Sequence, residues 1–353
     1  MDSIKKYNPN DIGKTNNNIF GFPYTEDNAQ IILISVPWDV TTSYRAGTSE
    51  GPGAILKVSP QLDFYDPIFK NAWKMGVFMN EIPEYWKNKN NELRKKSEFY
   101  ISKLASGKEI ENNKQLIRIK NEINEWSKKL NEWVKEQSLK FLNKNKLVGI
   151  IGGEHSVSLG LIKAISEKYN SFGILQIDAH ADLRVAYEGF EFSHASSMNN
   201  AIKCKEVKKL VQVSVRDYCE DESEIIKKSK GRIICYTDEA IKSELYKGKT
   251  WNSICNKIIK ELPENIYLSF DIDGLNPMLC PNTGTPVPGG MEFEQAIYLL
   301  NKIVEANKKI IGFDLCEVAP SENNDWDGNA GARLIFRICN FMAKSMGRKP
   351  QKF

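Results

Sequence analysis

The chain has 353 residues, of which 41% are hydrophobic and 27% are charged, proportions that are typical of a soluble globular protein. Its 49 basic and 45 acidic residues leave a net charge of only +4, and this small, dispersed excess excludes the usual basic surface of a nucleic-acid-binding protein. No apolar run approaches the roughly 20 residues that span a bilayer, which excludes a membrane protein.

The N-terminal region is polar and contains no apolar signal-peptide core. We predict that residues 1–20 form an N-terminal arm and that residues 21–353 form a single domain. The seven cysteines are odd in number and form no CxxC pair, which indicates reduced thiols. We therefore expect a cytoplasmic protein.

Short apolar runs, rich in β-branched residues, recur along the chain. They predict strands at residues 31–37, 146–152, 172–178, 210–215, 232–237, 265–273 and 309–318. Because these runs are nearly continuous in hydrophobicity, the strands are predicted to be buried on both faces, as in a parallel sheet. Helical patterns separate them at residues 157–169, 220–230, 251–261, 292–307 and 330–344. This alternation predicts a three-layer α/β/α fold with a mostly parallel sheet.

Residues 84–145 interrupt the alternation. The segment is rich in Lys, Glu and Asn, and its apolar residues recur at helical spacing. We predict two amphipathic helices, inserted into the domain as a helical hairpin. The pattern fits a solvated helix pair that packs through Ile, Leu and Trp, and it also fits a contact between subunits.

The stretch LQIDAHADLR, residues 175–184, is unusual because acid and imidazole alternate after an apolar run. Asp178, His180 and Asp182 occupy every second position. If the extended conformation continues past the strand, the three side chains point to the same side. The whole chain has only three histidines, so we expect this one to have a specific task.

Two other predicted strand ends carry similar residues. SFDIDGLNP contains Asp271 and Asp273, and GGEHS presents His155 after two glycines. Ligands of open parallel sheets bind outside the carboxyl ends of the strands, so these groups are predicted to share one crevice. Neighbouring carboxylates repel unless cations compensate them. Two cations also lower the pKa of a water between them, and a carboxylate–imidazole set suits Mn²⁺ better than Mg²⁺ or Ca²⁺.

An alternative is that each aspartate only caps a helix or a turn. That interpretation accounts for a single motif about as well as a metal site does. It accounts poorly for three such motifs that all fall at strand ends.

Four motifs in this order, GGEHS, DAHADLR, SFDIDGLNP and GTGTPVPGG, resemble the signature motifs of the ureohydrolase superfamily, which includes arginase and agmatinase. The resemblance covers residues from about 30 to 345 and is closest to agmatinase-type members. It implies an arginase-like fold, two Mn²⁺ ions (or Ni²⁺) and hydrolysis of a small guanidino compound to urea and an amine. It also implies that one metal is held by His155, Asp178, Asp182 and Asp271, and the other by Asp178, His180, Asp271 and Asp273.

The resemblance further implies catalytic roles and a homo-oligomer, either a trimer or a hexamer. His194, in FSHASSM, resembles the loop histidine that shuttles a proton to the leaving amine. Glu317, in GFDLCEVAP, resembles the glutamate that pairs with the guanidinium. Asp182 would orient the attacking water and take its proton. A packed loop histidine and a strand-end carboxylate satisfied by backbone amides remain the structural alternatives for His194 and Glu317.

A further set of residues is expected to contact the tail of the substrate. Arg184 can meet a substrate carboxylate or pair with Glu188 or Glu191, and Trp326 can cap the pocket. The loop PWDVTTSYRAG is expected to line its mouth. Asn276 stands where the superfamily usually has Asp, and because that position is no metal ligand, we expect only a changed hydrogen bond.

Agmatine, cleaved to putrescine and urea, is the substrate that the motifs favour. Arginase, guanidinobutyrase and guanidine hydrolase activities are alternatives within the same fold. A single-metal amidohydrolase of the deacetylase type and a non-catalytic metal-binding relative are further alternatives. Both are disfavoured because all six ligand positions carry a ligand residue.

Overall fold

The computed structural model describes residues 2–108, 110 and 112–352. In this part of the chain the strands are β1 Ile31–Val36, β2 Val77–Met79, β3 Leu147–Gly152, β4 Phe172–Ile177, β5 Val207–Val215, β6 Ile233–Thr237, β7 Asn265–Asp271 and β8 Lys309–Cys316. They form one sheet in the order β2-β1-β3-β8-β7-β4-β5-β6. Every neighbouring pair is parallel.

Helices cover both faces of this sheet. They are α1 Asp2–Lys5, α2 Gly51–Val58, α3 Glu84–Ala105, α4 Lys114–Leu142, α5 Ser158–Ser166, α6 Ser197–Ala201, α7 Glu220–Lys228, α8 Asp238–Tyr246, α9 Trp251–Glu261, α10 Phe293–Glu305 and α11 Trp326–Ser345. Helices α4, α5 and α6 contact one another in turn, and so do α9, α10, α11 and α2. The two series form the outer layers. The predicted three-layer α/β/α class with a mostly parallel sheet is therefore confirmed.

The seven predicted strands all occur, with ends that differ by one to three residues. Strand β2 was not predicted, because its three residues are too few to show a pattern. The central strands are buried along their whole length, for example β3 and β4. This burial on both faces explains why their sequences are continuously apolar.

The segment predicted as two amphipathic helices forms α3 and α4. Helix α4 begins at the N-cap Asn113, whose side chain accepts hydrogen bonds from the amides of Gln115 and Leu116. Its buried face includes Leu130 and Val134 and packs on α5. The contact is close because α5 has Gly160 there: a Cβ atom at that position would lie 2.5 Å from Val134 Cβ.

The predicted N-terminal arm, residues 1–20, contains α1, and its residues 5–17 are mostly exposed. Ile4, Ile19 and Phe20 are buried in the main hydrophobic core. The division into arm, domain and inserted hairpin stays a prediction. No helix in the described part of the chain is both long enough and apolar enough to cross a membrane.

Candidate metal centre

Polar side chains lie at or just after the C-terminal ends of four adjacent strands, at one edge of the sheet. In the order β3, β8, β7 and β4, the chain places His155 just after β3, Glu317 just after β8, Asp271 at the end of β7 and Asp178 just after β4. All four residues are buried. The predicted crevice at the carboxyl edge of the sheet is therefore where the candidate ligands converge.

Two motif glycines make this convergence possible. At Gly153, in GGEHS, a Cβ atom would lie 1.9 Å from the carbonyl oxygen of Trp38. At Gly274, in SFDIDG, a Cβ atom would lie 2.6 Å from the backbone nitrogen of Asp178. Since side chains at either position would force neighbouring backbones apart, glycine brings the motifs into contact.

The imidazole of His155 lies among three carboxylates. Its Nδ1 atom is 3.0 Å from an oxygen of Asp178, 2.9 Å from one of Asp182 and 3.5 Å from one of Asp271. Within the part of the chain that the structure describes, this buried Nδ1 nevertheless makes no hydrogen bond. A buried nitrogen that faces carboxylates without a hydrogen bond is the arrangement expected of a metal ligand.

The other ring nitrogen of His155 supports this interpretation. Nε2 lies 2.8 Å from the hydroxyl of Ser269, and that hydroxyl donates its hydrogen to Asp314 at 2.9 Å. Because the Ser269 hydroxyl hydrogen is used in this way, its oxygen accepts a hydrogen bond from Nε2–H of His155. When His155 is neutral, it is then held as the tautomer whose bare Nδ1 faces the carboxylates, as in the carboxylate–histidine supports of metal sites.

A second group surrounds His180. Its Nδ1 atom is 3.1 Å from an oxygen of Asp273 and 3.6 Å from an oxygen of Asp178. One candidate metal group is therefore His155, Asp178 and Asp271, the other is Asp178, His180 and Asp273, and Asp178 is common to both. Imidazole and carboxylate donors in two linked groups fit a pair of borderline divalent cations.

The period of two in DAHAD does not come from a continued strand. Strand β4 ends at Ile177, and Asp182 adopts a left-handed backbone with φ of 55°. Its carboxylate accepts a hydrogen bond from the Ser197 hydroxyl at 2.7 Å. The expectation of extended backbone through this motif is thus wrong, because tertiary contacts shape the loop and still bring Asp178, His180 and Asp182 together.

Burial and mutual proximity determine the protonation of the carboxylates. Burial, and then the neighbouring Asp178, raise the pKa of Asp182 to about 6. The pKa of Asp271 is raised well above its usual value by burial, and then by Asp273 and Asp178. Burial also acts to raise the pKa of Asp178, but the nearby imidazoles of His155 and His180 keep that pKa below its usual value.

The pKa values of the two histidines of the centre are lowered by burial and raised by the neighbouring carboxylates. Burial lowers the pKa of His155, but Asp178 and Asp182 outweigh this effect and raise it well above its ordinary value. His180 behaves in the same way because of Asp273 and Asp178. In the absence of metal, protons on these imidazoles compensate the carboxylates, and bound cations would replace them.

A cleft of about 360 Å³ opens above this centre. His180, Asp182, His194 and Arg184 line it, and so do Ser43, Tyr44 and Arg45 of the loop after β1. The predicted contribution of that loop to the mouth is therefore confirmed. His194 is half-buried, and the loss of solvent around its ring, followed by the charge of His180, lowers its pKa to about 3.

Glu317 is buried and is outside the residues that line the cleft, and its backbone conformation is strained, with φ of 65°. One carboxylate oxygen accepts a hydrogen bond from the His155 amide at 2.8 Å. Its backbone carbonyl accepts from the Thr283 hydroxyl at 2.7 Å. A Cβ atom at Gly284 would come within 3.4 Å of the other carboxylate oxygen, so the GTGTP motif both supports Glu317 and keeps one side of it open.

The residues predicted to read the substrate tail are dispersed. Arg184 lines the cleft, but its ion-pair partner is Glu222, at 3.9 Å, instead of Glu188 or Glu191. Its guanidinium also stacks over the Tyr187 ring at 4.7 Å. Trp326 is outside the residues that line the cleft, because its indole nitrogen donates to the Met278 carbonyl at 2.9 Å.

Asn276 shapes the turn after the DID motif. Its side-chain oxygen accepts from the Met278 amide at 3.0 Å, and its side-chain nitrogen donates to Glu292 at 3.1 Å. Aspartate could not make the second contact, because an ionised carboxylate donates no hydrogen bond.

Sequence reasoning missed the polar residues that support the centre. Ser269 lies in the middle of an apolar strand, and Thr41 belongs to a loop more than a hundred positions from its partner Glu154. A buried polar residue within a continuous apolar run, as at Ser269, was the one available signal.

A model of the arginase family matches residues 29–340. Because the match spans most of the sequence, the chain belongs to the arginase family. Ureohydrolases of this family are hydrolytic enzymes that act on guanidino compounds, and the family uses dinuclear metal centres. The predicted superfamily and enzyme class are confirmed.

Relatives and solved structures agree with this assignment. The N(1)-aminopropylagmatine ureohydrolase of Thermus thermophilus is 29% identical over 300 residues, covering 85% of each chain. The agmatinase of Bacillus cereus is 26% identical over 296 residues, covering 83% of this chain and 85% of its own. The agmatine ureohydrolase structure of Thermoplasma volcanium has a TM-score of 0.70 at 18% identity, with 95% of this chain and 97% of the other covered. The predicted arginase-like fold is thus confirmed.

Proposed function

We propose that this chain hydrolyses agmatine, or a longer alkylguanidine of the same kind, to urea and an amine. The observation that carries the proposal is the convergence of carboxylates and imidazoles at adjacent strand ends, around the bare Nδ1 of His155. The names of the Thermus thermophilus and Bacillus cereus relatives support an agmatine-like substrate.

The centre would hold two Mn²⁺ ions, with Ni²⁺ as the alternative. Mixed imidazole and carboxylate donors favour such cations over Mg²⁺ and Ca²⁺. When bound, the two cations supply a water of lowered pKa, the nucleophile that a resonance-stabilised guanidinium requires. The proposed ligands are His155, Asp178, Asp182 and Asp271 for one cation, and Asp178, His180, Asp271 and Asp273 for the other.

Three side chains would handle the substrate and its protons. Glu317 offers a carboxylate oxygen to the planar guanidinium. Asp182, at the edge of the centre and in the cleft, orients the attacking water and takes its proton. His194 delivers a proton to the leaving nitrogen, so that one water and one guanidinium become urea and a protonated amine.

Acidic and basic side chains both line the mouth of the cleft. Asp217 is exposed there, whereas the buried Glu222 already accepts hydrogen bonds from the amides of Leu183 and Cys219. Asp217 is thus the acid that suits the cationic tail of agmatine. Arg45 and Arg184 line the same mouth and favour a second candidate, a guanidino acid with a carboxylate tail.

We also propose that the enzyme is a cytoplasmic homo-oligomer, either a trimer or a hexamer. Its seven cysteines are all free thiols, which is typical of a reducing compartment. Light scattering coupled to gel filtration measures the number of subunits directly.

The test is urea release from agmatine, N(1)-aminopropylagmatine, arginine, 4-guanidinobutyrate and guanidine, each with Mn²⁺ and with Ni²⁺. We expect the highest kcat/KM with an aminoalkylguanidine. His180→Ala should abolish turnover and lower the bound metal, whereas Asp11→Asn, at an exposed acid of the N-terminal arm, should change neither. Absence of urea from every compound would refute the proposed activity.

A further inference from the structure

The cleft histidine turns one of its nitrogens away from the substrate. Nδ1 of His194 lies 3.4 Å from the Thr41 hydroxyl and 3.3 Å from the Ser193 hydroxyl. Since the ring lines the cleft, Nε2 is the nitrogen left for substrate. The hydroxyls that meet Nδ1 therefore influence which nitrogen carries the proton.

The hydrogen of the Thr41 hydroxyl already has an acceptor. It is donated to one oxygen of Glu154 at 2.8 Å, and the Thr41 amide donates to the other oxygen at 2.7 Å. The Ser156 hydroxyl also donates to Glu154, at 2.6 Å. Three donors therefore converge on a fully buried carboxylate, which accepts a hydrogen bond from each of them.

Thr41 therefore faces His194 as an acceptor. Its oxygen accepts from the His194 amide at 3.1 Å, and the same oxygen is turned to the ring Nδ1. A hydroxyl without a spare hydrogen stabilises Nδ1 only when Nδ1 is itself protonated.

We propose that Glu154, acting through Thr41, is a positioning residue that holds His194 as its Nδ1–H tautomer. Nε2 is then bare at the start of each turnover. It can receive from Asp182 the proton released by the attacking water and pass that proton to the leaving nitrogen, a step that rests on the proposed function. The arrangement resembles that of an acid that orients a catalytic histidine, except that a threonine hydroxyl lies between the two groups.

The Ser193 hydroxyl is the competing influence on Nδ1. It accepts from the Ala195 amide at 3.2 Å, and its own hydrogen is free to rotate toward Nδ1 or away from it. If Ser193 controlled the ring, Nδ1 would be bare and Nε2 protonated. Ser193→Ala therefore separates the two possibilities.

The kinetic test compares variants of Thr41 that differ in the hydroxyl. Thr41→Ser keeps it and should stay within about threefold of wild type, whereas Thr41→Val should lower kcat about tenfold or more with little change in KM, a part of the total effect of a general acid–base group. Glu154→Gln should resemble Thr41→Val, because an amide NH₂ would donate to Thr41 and release its hydrogen toward Nδ1. Bound metal, measured in every variant, must stay at the wild-type level.

The tautomer itself is measured by ¹⁵N NMR of metal-free protein labelled at histidine. With three histidines in the chain, His194 is assigned by its absence in His194→Gln. We expect a protonated Nδ1 in the wild type and in Ser193→Ala, and a shift toward protonated Nε2 in Thr41→Val and Glu154→Gln. A protonated Nε2 in the wild type, or an unchanged tautomer in Thr41→Val, would overturn the proposal. Because this readout needs no turnover, it still decides the proposal if no guanidine yields urea.

Discussion

At the scale of single residues, buried polar side chains hold the candidate metal ligands in place. Ser269 is fully buried in β7 and links His155 to Asp314, whose pKa is raised by burial. The direction of these two hydrogen bonds leaves Nδ1 of a neutral His155 bare. A support of this kind orients a metal-ligating imidazole and increases its basicity.

Ser269→Ala should therefore weaken metal binding at the centre. Loss of such a supporting contact costs about 10- to 100-fold in metal affinity, because the His155 ring is no longer fixed in one tautomer. Calorimetric titration of Mn²⁺ into protein that a chelator has freed of metal measures the change in affinity. Ser35→Ala removes another buried strand hydroxyl, which donates to Asn80, and should leave the affinity unchanged. Equal affinities in the two variants would contradict the role given to Ser269.

Asp217 allows a test of substrate choice at the same scale. Asp217→Asn should raise KM for agmatine by up to about fivefold, the effect of losing at most about 1 kcal/mol of ion pairing at an exposed site. KM for 4-guanidinobutyrate, which has an anionic tail, should stay constant or fall. Steady-state urea release with both compounds distinguishes these outcomes, and a parallel rise for both would remove Asp217 from tail recognition.

At the scale of elements, the helical hairpin of α3 and α4 holds the two loops that meet in the cleft. Arg94 on α3 donates to the backbone and hydroxyl oxygens of Thr42 at 2.6 and 2.7 Å. Tyr100 donates to the Glu188 carbonyl at 2.9 Å, and Asn124 on α4 donates to the Gly189 carbonyl at 3.0 Å. The predicted solvated helix pair thus also supports the loops that carry Thr41 and His194.

Tyr100→Phe should loosen the loop before His194 while it keeps the buried ring. Loss of one hydrogen bond costs about 1 kcal/mol of unfolding free energy, and we expect a lower kcat as the loop samples other positions. Tyr85→Phe, at an exposed tyrosine of the same helix, is the matched control and should have no effect. Denaturant unfolding and urea release are measured on both variants. If they behaved alike, the hairpin would have no role in holding this loop.

At the scale of the whole molecule, we expect the candidate centre to link metal binding to stability. In metal-free protein the pKa values of His155 and His180 are raised in the folded state. Their protonation stabilises the fold below the ordinary histidine pKa near 6.5, and this contribution is lost as the pH rises through the folded values. Bound cations compensate the same carboxylates without protons. The stabilisation that the cations provide therefore increases as the pH rises.

We therefore expect Mn²⁺ to raise Tm, and to raise it more at pH 8 than at pH 6. At a hundred times Kd the gain in unfolding free energy is about 2.7 kcal/mol. Thermal unfolding with Mn²⁺ and with a chelator, at both pH values, measures it. The Asp273→Asn variant should lose much of the gain. A larger Mn²⁺ effect at the lower pH would contradict the replacement of protons by metal.

Much of the fold and of the candidate centre could be predicted from the sequence. Strands buried on both faces must be continuously apolar, so most of the sheet was visible in the sequence. The candidate ligand positions could be predicted because Asp178, Asp271 and His155 follow such runs. Strand β2 could not be predicted from the sequence, because three residues are too few to show a periodic pattern.

What only the tertiary structure decided lies in the loops. The left-handed turn at Asp182, the ion pair of Arg184 with Glu222 and the attachment of Trp326 to Met278 all depend on partners distant in sequence. The same holds for Glu154 and Thr41, which lie 113 positions apart. Local hydrophobic patterns encode which segments are buried, but the path of a loop and the direction of a hydrogen bond follow from contacts that form only when the chain is folded.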